Sequence, residues 1–259
     1  MAFPSVGATE NLMLAAVCSK GTTVIANAAR EPEILDLADY LNRCGGRIYG
    51  AGESCVIIDG VDELRACEHT IMPDRIATVT YMSAAAVTGA DLLITGVNNT
   101  HVMPMLSPFE ESGCVVRQYG NNINIMAPKR LNPVKHIRTM PYPGFPTDAQ
   151  PIIMPMAVLG NGTSIIVENI FENRYKYAEE LNKMGANIRI EGKVAIVEGV
   201  SRLVGAPVQS SDLRAGASLV IAGMAAEGKT EVSGEEYIYR GYENITDNFR
   251  KIGADIFEE

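Results

Sequence analysis

Apolar and polar positions follow the same order four times along the chain. Each segment starts at a residue suited to a helix N-cap: Ser5, Asp74, Asp148 or Asp212. A helix rich in small apolar residues follows, predicted over residues 11–17, 81–87, 153–159 and 217–226. A glycine-containing turn then leads into an apolar strand, predicted over residues 23–28, 91–97, 163–170 and 230–234. The pattern predicts a protein built from repeated helix–strand units.

The second half of each unit is also repeated. An amphipathic helix is predicted over residues 33–44, 105–112, 175–184 and 243–252, each ending at a glycine. These glycines, spaced 68–72 residues apart, suit the position after a helix end: Gly45, Gly113, Gly185 and Gly253. Two short strands joined by a turn follow in the first three units, over residues 47–60, 115–127 and 187–199. The fourth unit stops before its last strand, which predicts a piece of a longer repeat protein.

The length of the repeat bears on the fold class. It exceeds the roughly 20–50 residues of short solenoid repeats. Helix and strand alternate in every unit, so the pattern predicts an α/β or α+β fold with helices packed under small sheets. The small residues of the first helices predict close packing in a buried central bundle.

Composition narrows the function classes. The 259 residues are 47% hydrophobic and carry a net charge of −9 without a cluster of Lys or Arg, which argues against nucleic acid as a partner. Five cysteines without a CxxC pair argue against a disulfide framework or a zinc site, and we expect all five to be small buried residues. With neither a signal peptide nor an apolar run of membrane-spanning length, the sequence predicts a soluble, cytoplasmic protein.

One stretch, PYPGFPTDAQ at residues 141–150, draws attention as a candidate site. Its prolines and glycine prevent regular structure up to Pro146, and an apolar helix is predicted directly afterwards. Asp148 therefore lies at a helix N-terminus, where a carboxylate can accept hydrogen bonds from unpaired backbone N–H groups. The sequence leaves two interpretations open: Asp148 is a helix cap, or it is a catalytic or substrate-holding carboxylate.

Basic residues recur 25–28 residues after the four caps, in the loop before the second helix. They are Arg30, His101, Arg174 and Arg240. If the units share a fold, the caps and arginines of the third and fourth units, including Asp148 and Asp212, would lie near one cleft. Arg214 would lie in the first turn of the helix that Asp212 caps. The alternative for each arginine is a surface ion pair.

Seven motifs together carry a resemblance. In chain order they are FPSVGATEN (3–11), NAAREPEILDLADYLN (27–42), PDRI (73–76), GFPTDAQ (144–150), IFENRY (170–175), DLRAGASLVIAG (212–223) and RGYE (240–243). They resemble the UDP-N-acetylglucosamine 1-carboxyvinyltransferase family of enolpyruvyl transferases, over essentially the whole chain.

The resemblance implies an inside-out α/β barrel built from βαβαββ-type units, of which this chain holds four of six. Residues 1–72 would be the last unit of a split catalytic domain, and residues 73–259 a three-repeat second domain lacking its first strand. The implied reaction moves an enolpyruvyl group from phosphoenolpyruvate to UDP-N-acetylglucosamine, without metal or organic cofactor. The alternatives are a 3-phosphoshikimate 1-carboxyvinyltransferase and a non-catalytic fragment that only binds ligand.

The resemblance also assigns residues. The loop that contacts the sugar diphosphate would be Phe3, Pro4, Ser5, Val6 and Gly7. Asp148 would hold the reacting sugar hydroxyl as the candidate general base, and Ile170 would make a backbone contact to the nucleotide sugar. Phosphoenolpyruvate would bind to Arg174 and to Arg240, the latter also catalytic. The other side of the cleft would carry Asp212 and Arg214.

Two departures from the family pattern carry expectations. The family's Lys-Asn pair and its cysteine loop have no counterpart here, and Tyr239 stands where an acidic residue usually precedes the Arg-Gly of the last motif. We therefore expect the chain alone to be inactive, to need an absent N-terminal segment as a partner, and to self-associate.

Overall fold

The computed structural model describes residues 1–258, and the chain divides into two compact units. One comprises Met1–Pro73 and Pro141–Gly144, and the other Asp74–Met140 with the chain from Phe145 onward. Apart from the inclusion of Pro141–Gly144, the division lies one residue from the predicted boundary. The assignment of these units to the family's two domains stays a prediction.

The first unit is a small α/β layer. Its elements are α1 (Val6–Ala16), β1 (Thr22–Ala26), α2 (Pro32–Arg43), β2 (Arg47–Tyr49) and β3 (Cys55–Asp59). The strands form an antiparallel sheet in the order β1-β3-β2, whose apolar side packs on the two helices. Helix α1 buries Met13 but leaves Leu12 and Leu14 exposed, so only one face of the helix is packed against the rest of this unit. Whether that face drives self-association stays a prediction.

The second unit begins with a repeat of the same order. Its elements are α3 (Arg75–Thr88), β4 (Asp91–Thr95), α4 (Asn99–Val102), α5 (Ser107–Glu111), β5 (Val115–Tyr119) and β6 (Asn122–Met126). The predicted helix over 105–112 is wrong as one element, because the segment divides into a 3-10 turn at Met103–Met105 and the short α5. Proline stands at the start of each piece, where its missing N–H costs nothing.

The third repeat repeats the arrangement around a wider sheet. Its elements are β7 (His136–Arg138), α6 (Ala149–Leu159), β8 (Thr163–Val167), α7 (Tyr177–Lys183), β9 (Asn187–Glu191) and β10 (Val194–Glu198). The sheet order is β7-β8-β10-β9, in which β7 lies parallel to β8 and the other pairs are antiparallel.

The fourth repeat differs in its strands. Its elements are β11 (Leu203–Val204), β12 (Pro207–Gln209), α8 (Leu213–Ala225), β13 (Ala226–Glu227), β14 (Glu231–Ser233), α9 (Glu235–Tyr239) and α10 (Ile245–Lys251). Two short parallel pairs, β11–β13 and β12–β14, replace the three- and four-stranded sheets of the earlier repeats. No strand follows α10 within residues 1–258.

The predicted central bundle is confirmed in the second unit. Helices α3, α6 and α8 pack against one another, and their small residues allow close approach. Helix α6 is buried on every side from Ala149 to Val158, as its continuous apolar sequence requires. The predicted helix-ending glycines are also confirmed, since all four have φ between 90° and 104°.

The cysteines correct one expectation. Cys44 and Cys114 are buried and Cys67 is half-buried, but Cys18 and Cys55 are exposed. Cys18 lies in the turn after α1, and Cys55 occupies an outward-facing position of β3, where alternate residues point away from the core. Across residues 1–258, no helix combines the length and apolarity needed to cross a membrane.

Candidate functional site

Asp148 precedes the first residue of α6, but its carboxylate does not cap the helix. The residue has helical backbone angles, φ −70° and ψ −27°, and none of its side-chain hydrogen bonds in the described structure goes to a helix N–H. The other three caps behave as predicted: Ser5 accepts from one backbone N–H, and Asp74 and Asp212 from two each. The cap interpretation of Asp148 is therefore wrong, and its carboxylate is available for other partners.

The first partner is Arg174, from the turn between β8 and α7. Its Nη2 donates to Oδ1 of Asp148 at 2.7 Å, and its Nε donates to Oγ1 of Thr147 at 3.2 Å. The guanidinium carbon lies 4.3 Å from the centre of the Phe171 ring, within cation–π range. Only 6% of the Arg174 side chain is exposed, so the surface ion-pair interpretation is wrong for this arginine.

The second partner is Arg214, in the first turn of α8 as predicted. Its Nε donates to Oδ2 of Asp148 at 3.1 Å, and its Nη1 donates to the hydroxyl of Tyr242 at 3.2 Å. The capping of α8 by Asp212 fixes the backbone from which Arg214 extends, because Oδ1 of Asp212 accepts from Arg214 N at 2.9 Å. That same oxygen lies 3.9 Å from Nη1 of Arg174. Each oxygen of Asp148 is thus held by a different guanidinium.

The two arginines of this cluster are more deeply buried than its two aspartates. Arg174 and Arg214 are 6% and 12% exposed, whereas Asp148 and Asp212 are 42% and 37% exposed. Burial by itself lowers the pKa of Arg214, but Tyr242 and Asp148 outweigh it and the net pKa is raised, so the guanidinium stays charged. A carboxylate has about four lone-pair sites and Asp148 uses two. Because the Asp148 side chain is 42% exposed, the carboxylate can accept further hydrogen bonds.

The structure separates other predicted residues from this cluster. Arg240 ends α9 with an exposed side chain that forms no hydrogen bond or ion pair within residues 1–258. Arg240 therefore does not bind the carboxylates of Asp148 or Asp212 in the described structure, and its placement near the same cleft stays a prediction. The N–H of Ile170 is occupied by Oε1 of Glu168 at 2.9 Å, which leaves its carbonyl for a ligand.

The repeated basic position does not have one role. Arg30 is exposed and its Nε donates to the carbonyl of Gly52 at 3.1 Å, while His101 contacts Asn98. Arg174 binds the carboxylate at the start of its own repeat, Asp148, whereas the contacts described for Arg30 and His101 go to other residues. The basic residue recurs at the same place in each repeat, but its described contacts differ.

The candidate diphosphate loop belongs to the first unit. Phe3 is exposed, Ser5 caps α1 by accepting from Ala8 N at 3.3 Å, and Gly7 lies in the first turn of the helix. A Cβ on Gly7 would meet no atom within 4 Å, so this turn presents open backbone. Pro4 and Val6 are half-buried beside it. The position of these residues next to unpaired helix N–H groups is compatible with an anion contact.

Sequence reasoning missed the residues that hold the two arginines. Phe171 and Tyr242 stood inside the quoted motifs, and an aromatic residue close to an arginine was the available signal. Glu168 was also missed: it is 2% exposed and its Oε1 accepts from the N–H groups of Ile170 and Phe171 and from the hydroxyl of Thr139. This carboxylate shapes the loop that carries Phe171 over Arg174. The described residues contain no group of three His, Cys, Asp or Glu placed to hold a metal ion.

Comparison with known proteins identifies the family. Residues 1–249 match the family described as EPSP synthase (3-phosphoshikimate 1-carboxyvinyltransferase). The chain is 50% identical over 254 residues to UDP-N-acetylglucosamine 1-carboxyvinyltransferase 1 of Symbiobacterium thermophilum, covering 98% of this chain and 57% of the relative. It is also 50% identical over 253 residues to UDP-N-acetylglucosamine 1-carboxyvinyltransferase 2 of Caldanaerobacter subterraneus, covering 98% and 61%. The chain thus spans about three fifths of the length of these relatives.

Solved structures agree with the sequence relatives. The enolpyruvyl transferase NikO from Streptomyces tendae superposes with a TM-score of 0.86 at 27% identity, over 97% of this chain and 60% of that one. EPSP synthase from Acinetobacter baumannii has a TM-score of 0.73 at 19% identity, over 99% and 62%, and supports the fold alone. The predicted α/β repeat fold is confirmed, and the chain belongs to the enolpyruvyl transferase family that its motifs indicated.

Proposed function

We propose that the protein to which this chain belongs transfers an enolpyruvyl group from phosphoenolpyruvate to the 3-hydroxyl of UDP-N-acetylglucosamine and releases phosphate. The observation that carries the proposal is the Asp148 carboxylate, which is open to solvent while two nearly buried guanidiniums fix both of its oxygens. Such an arrangement supplies a preorganised acceptor for a hydroxyl proton. The relatives at 48–50% identity carry this activity in their names.

The residues divide the work as follows. Asp148 accepts the proton of the sugar hydroxyl as the hydroxyl oxygen bonds to C2 of phosphoenolpyruvate and C3 gains a proton, giving a tetrahedral intermediate. Loss of phosphate from C2 and of a proton from C3 then restores the double bond. Arg240 has a fork without a protein partner in residues 1–258 and is suited to the phosphate or carboxylate of phosphoenolpyruvate. None of the five cysteines lies in the family's acid-carrying motif, so no residue of this chain is assigned to protonation of C3.

The remaining proposed contacts bind the two substrates. Arg174 keeps Nη1 as its least committed donor, 3.9 Å from Asp212, and this donor would meet phosphoenolpyruvate. The carbonyl of Ile170 and the loop from Phe3 to Gly7 would contact the nucleotide sugar. The reaction would place the protein in the cytoplasm at the entry to peptidoglycan synthesis.

Calorimetric titration of the 259-residue chain tests the substrate class. UDP-N-acetylglucosamine should bind to the wild-type chain and more weakly to Asp148→Asn, whereas shikimate 3-phosphate should not bind. The control is Asp74→Asn, since the Asp74 carboxylate caps α3 by accepting from Ile76 N and Ala77 N and forms no hydrogen bond with Arg174 or Arg214 in the described structure. Binding of shikimate 3-phosphate in preference to the nucleotide sugar would favour the other enolpyruvyl transferase reaction and overturn the proposal.

A second experiment tests the reaction itself. Phosphate release from phosphoenolpyruvate and UDP-N-acetylglucosamine should be absent with the chain alone. It should appear when the part of the Symbiobacterium relative that the chain does not match is added as a separate polypeptide. Turnover by the chain alone would show that the assignment of the chemistry to these residues is wrong.

A further inference from the structure

A line of hydrogen bonds leads from the centre of the helical bundle to Asp148. The hydroxyl of Thr80, on α3, donates to the carbonyl of Ile76 at 2.8 Å, and its oxygen lies 2.8 Å from the hydroxyl of Tyr242. The Tyr242 oxygen lies 3.2 Å from Nη1 of Arg214, whose Nε reaches Asp148 at 3.1 Å. The line joins α3, the segment between α9 and α10, and the starts of α8 and α6.

The chemistry of each group fixes the direction of every proton. A backbone carbonyl only accepts, so Thr80 has spent its single proton on Ile76 and must accept from Tyr242. A guanidinium only donates, so Tyr242 must accept from Arg214. The phenol of Tyr242 therefore needs its proton, and burial raises its pKa despite the opposing effect of Arg214. No member of the line can reverse its role without leaving a buried group unsatisfied.

Burial makes this line a rigid support. Thr80 is fully buried, Tyr242 is 5% exposed, and Arg214 is the first member to approach the surface. The Tyr242 ring also lies 5.6 Å from the guanidinium carbon of Arg214, which provides a second contact that does not depend on the hydroxyl. Removing the hydroxyl thus removes its hydrogen bonds to Thr80 and from Arg214 and keeps the ring.

We propose that Tyr242, supported by Thr80, is a positioning residue that orients the Arg214 guanidinium. The Nε–H of Arg214 then holds the Asp148 carboxylate in the position where it meets the sugar hydroxyl. The inference rests on the proposed function, because it deepens the account of Asp148. Tyr242 itself does not touch the substrate; it acts through Arg214.

The test uses three variants of the 259-residue chain. Tyr242→Phe removes the hydroxyl and keeps the ring, and Thr80→Val removes the acceptor that orients it. The control is Tyr175→Phe, because the Tyr175 hydroxyl donates to backbone carbonyls of Ile166 and Lys193. All three lose a tyrosine or threonine hydroxyl that forms hydrogen bonds within the second unit, buried in Thr80 and Tyr242 and half-buried in Tyr175, so each variant reports the general cost of losing such a hydroxyl.

The first readout needs no ligand. The Nε–H signal of Arg214 in an arginine-selective ¹⁵N spectrum, assigned through Arg214→Lys, should exchange with solvent about tenfold faster in Tyr242→Phe and in Thr80→Val. It should be unchanged in Tyr175→Phe. Unchanged exchange in a folded Tyr242→Phe chain would overturn the inference, whatever the substrate proves to be.

The second readout is affinity for UDP-N-acetylglucosamine by calorimetry. Loss of one net hydrogen bond corresponds to about 3–10-fold weaker binding in Tyr242→Phe. The double variant with Thr80→Val should bind no more weakly than the single variants, because both changes interrupt the same line. If the fold-losses of affinity in the two single variants multiply in the double variant, the two hydroxyls act independently, which would contradict the proposed line. Absence of binding to the wild-type chain would count against the proposed function, while the exchange readout still decides the role of Tyr242.

Discussion

Replacing Asp148 with Asn separates a helix cap from an arginine-held carboxylate. Asn caps a helix about as well as Asp, so a capping role predicts almost no change in the free energy of unfolding. The structure predicts a loss, because Asn is neutral and its amide N–H₂ would face one of the two guanidiniums. Arg174 would then keep Asp212, 3.9 Å away, as a nearby carboxylate, and Arg214 would lose its ion pair with Asp148.

The size of the loss follows from the contacts. Hydrogen bonds to charged groups contribute about 1.5–3 kcal/mol each, and Asp148 accepts one from each arginine. One of them would survive as a weaker bond to the amide oxygen. Because Asp148 is 42% exposed, solvent screening reduces the remainder, and we expect a loss of about 1–3 kcal/mol. That loss lowers the melting temperature by about 2–12 °C for a unit of this size.

Urea unfolding followed by far-UV circular dichroism measures the change. The matched control is Asp74→Asn, a genuine cap whose replacement should change the free energy of unfolding by a few tenths of a kcal/mol. If Asp148→Asn unfolds like the wild type and like Asp74→Asn, then the two arginine contacts contribute nothing to stability. The description of Asp148 as a held carboxylate would then be wrong.

Three further predictions use the same preparations. In calorimetry with UDP-N-acetylglucosamine present, Arg174→Lys should bind phosphoenolpyruvate about 10–100-fold more weakly, because Lys lacks the planar fork of donors of a guanidinium. The control Arg30→Lys should bind phosphoenolpyruvate as the wild type does. Equal, small losses of affinity in both variants would contradict a role of Arg174 in binding phosphoenolpyruvate. Arg240→Lys should also weaken phosphoenolpyruvate binding without changing the unfolding free energy, since its side chain has no partner within the described chain. Burial raises the pKa of the Cys114 thiol from 9.0 to about 11. The contribution of the neutral thiol to the free energy of unfolding is therefore complete below pH 9.0 and should be lost as the pH rises towards 11. The unfolding free energy of Cys114→Ala should therefore fall less steeply over this range than that of the wild type.

The repeated framework was predictable from the sequence because it depends on local interactions. Helix-ending glycines adopt positive φ without a steric penalty, and Ser5, Asp74 and Asp212 cap helices through N–H groups two or three residues away. Neither signal needs knowledge of distant parts of the chain. The class of fold and the central bundle followed from the same periodic pattern.

Two features of the fold could not be predicted from the local sequence pattern. The pairing of β14 with β12 in parallel depends on which strands are neighbours in space, and no residue in either strand specifies it. The exposure of Cys55 was decided by which face of β3 packs against the core. An expectation based on residue type alone could not include that orientation.

The site was decided by tertiary structure. Asp148 has the same local pattern as Asp74, yet its oxygens bind Arg174, 26 residues away, and Arg214, 66 residues away. Tyr242 reaches Thr80 across 162 residues. A carboxylate at a helix start can satisfy itself locally or through distant donors, and the local pattern is the same in both cases. The packing of α3, α6 and α8 chooses between them, because it buries two guanidiniums beside Asp148, where leaving their charge unpaired would be costly.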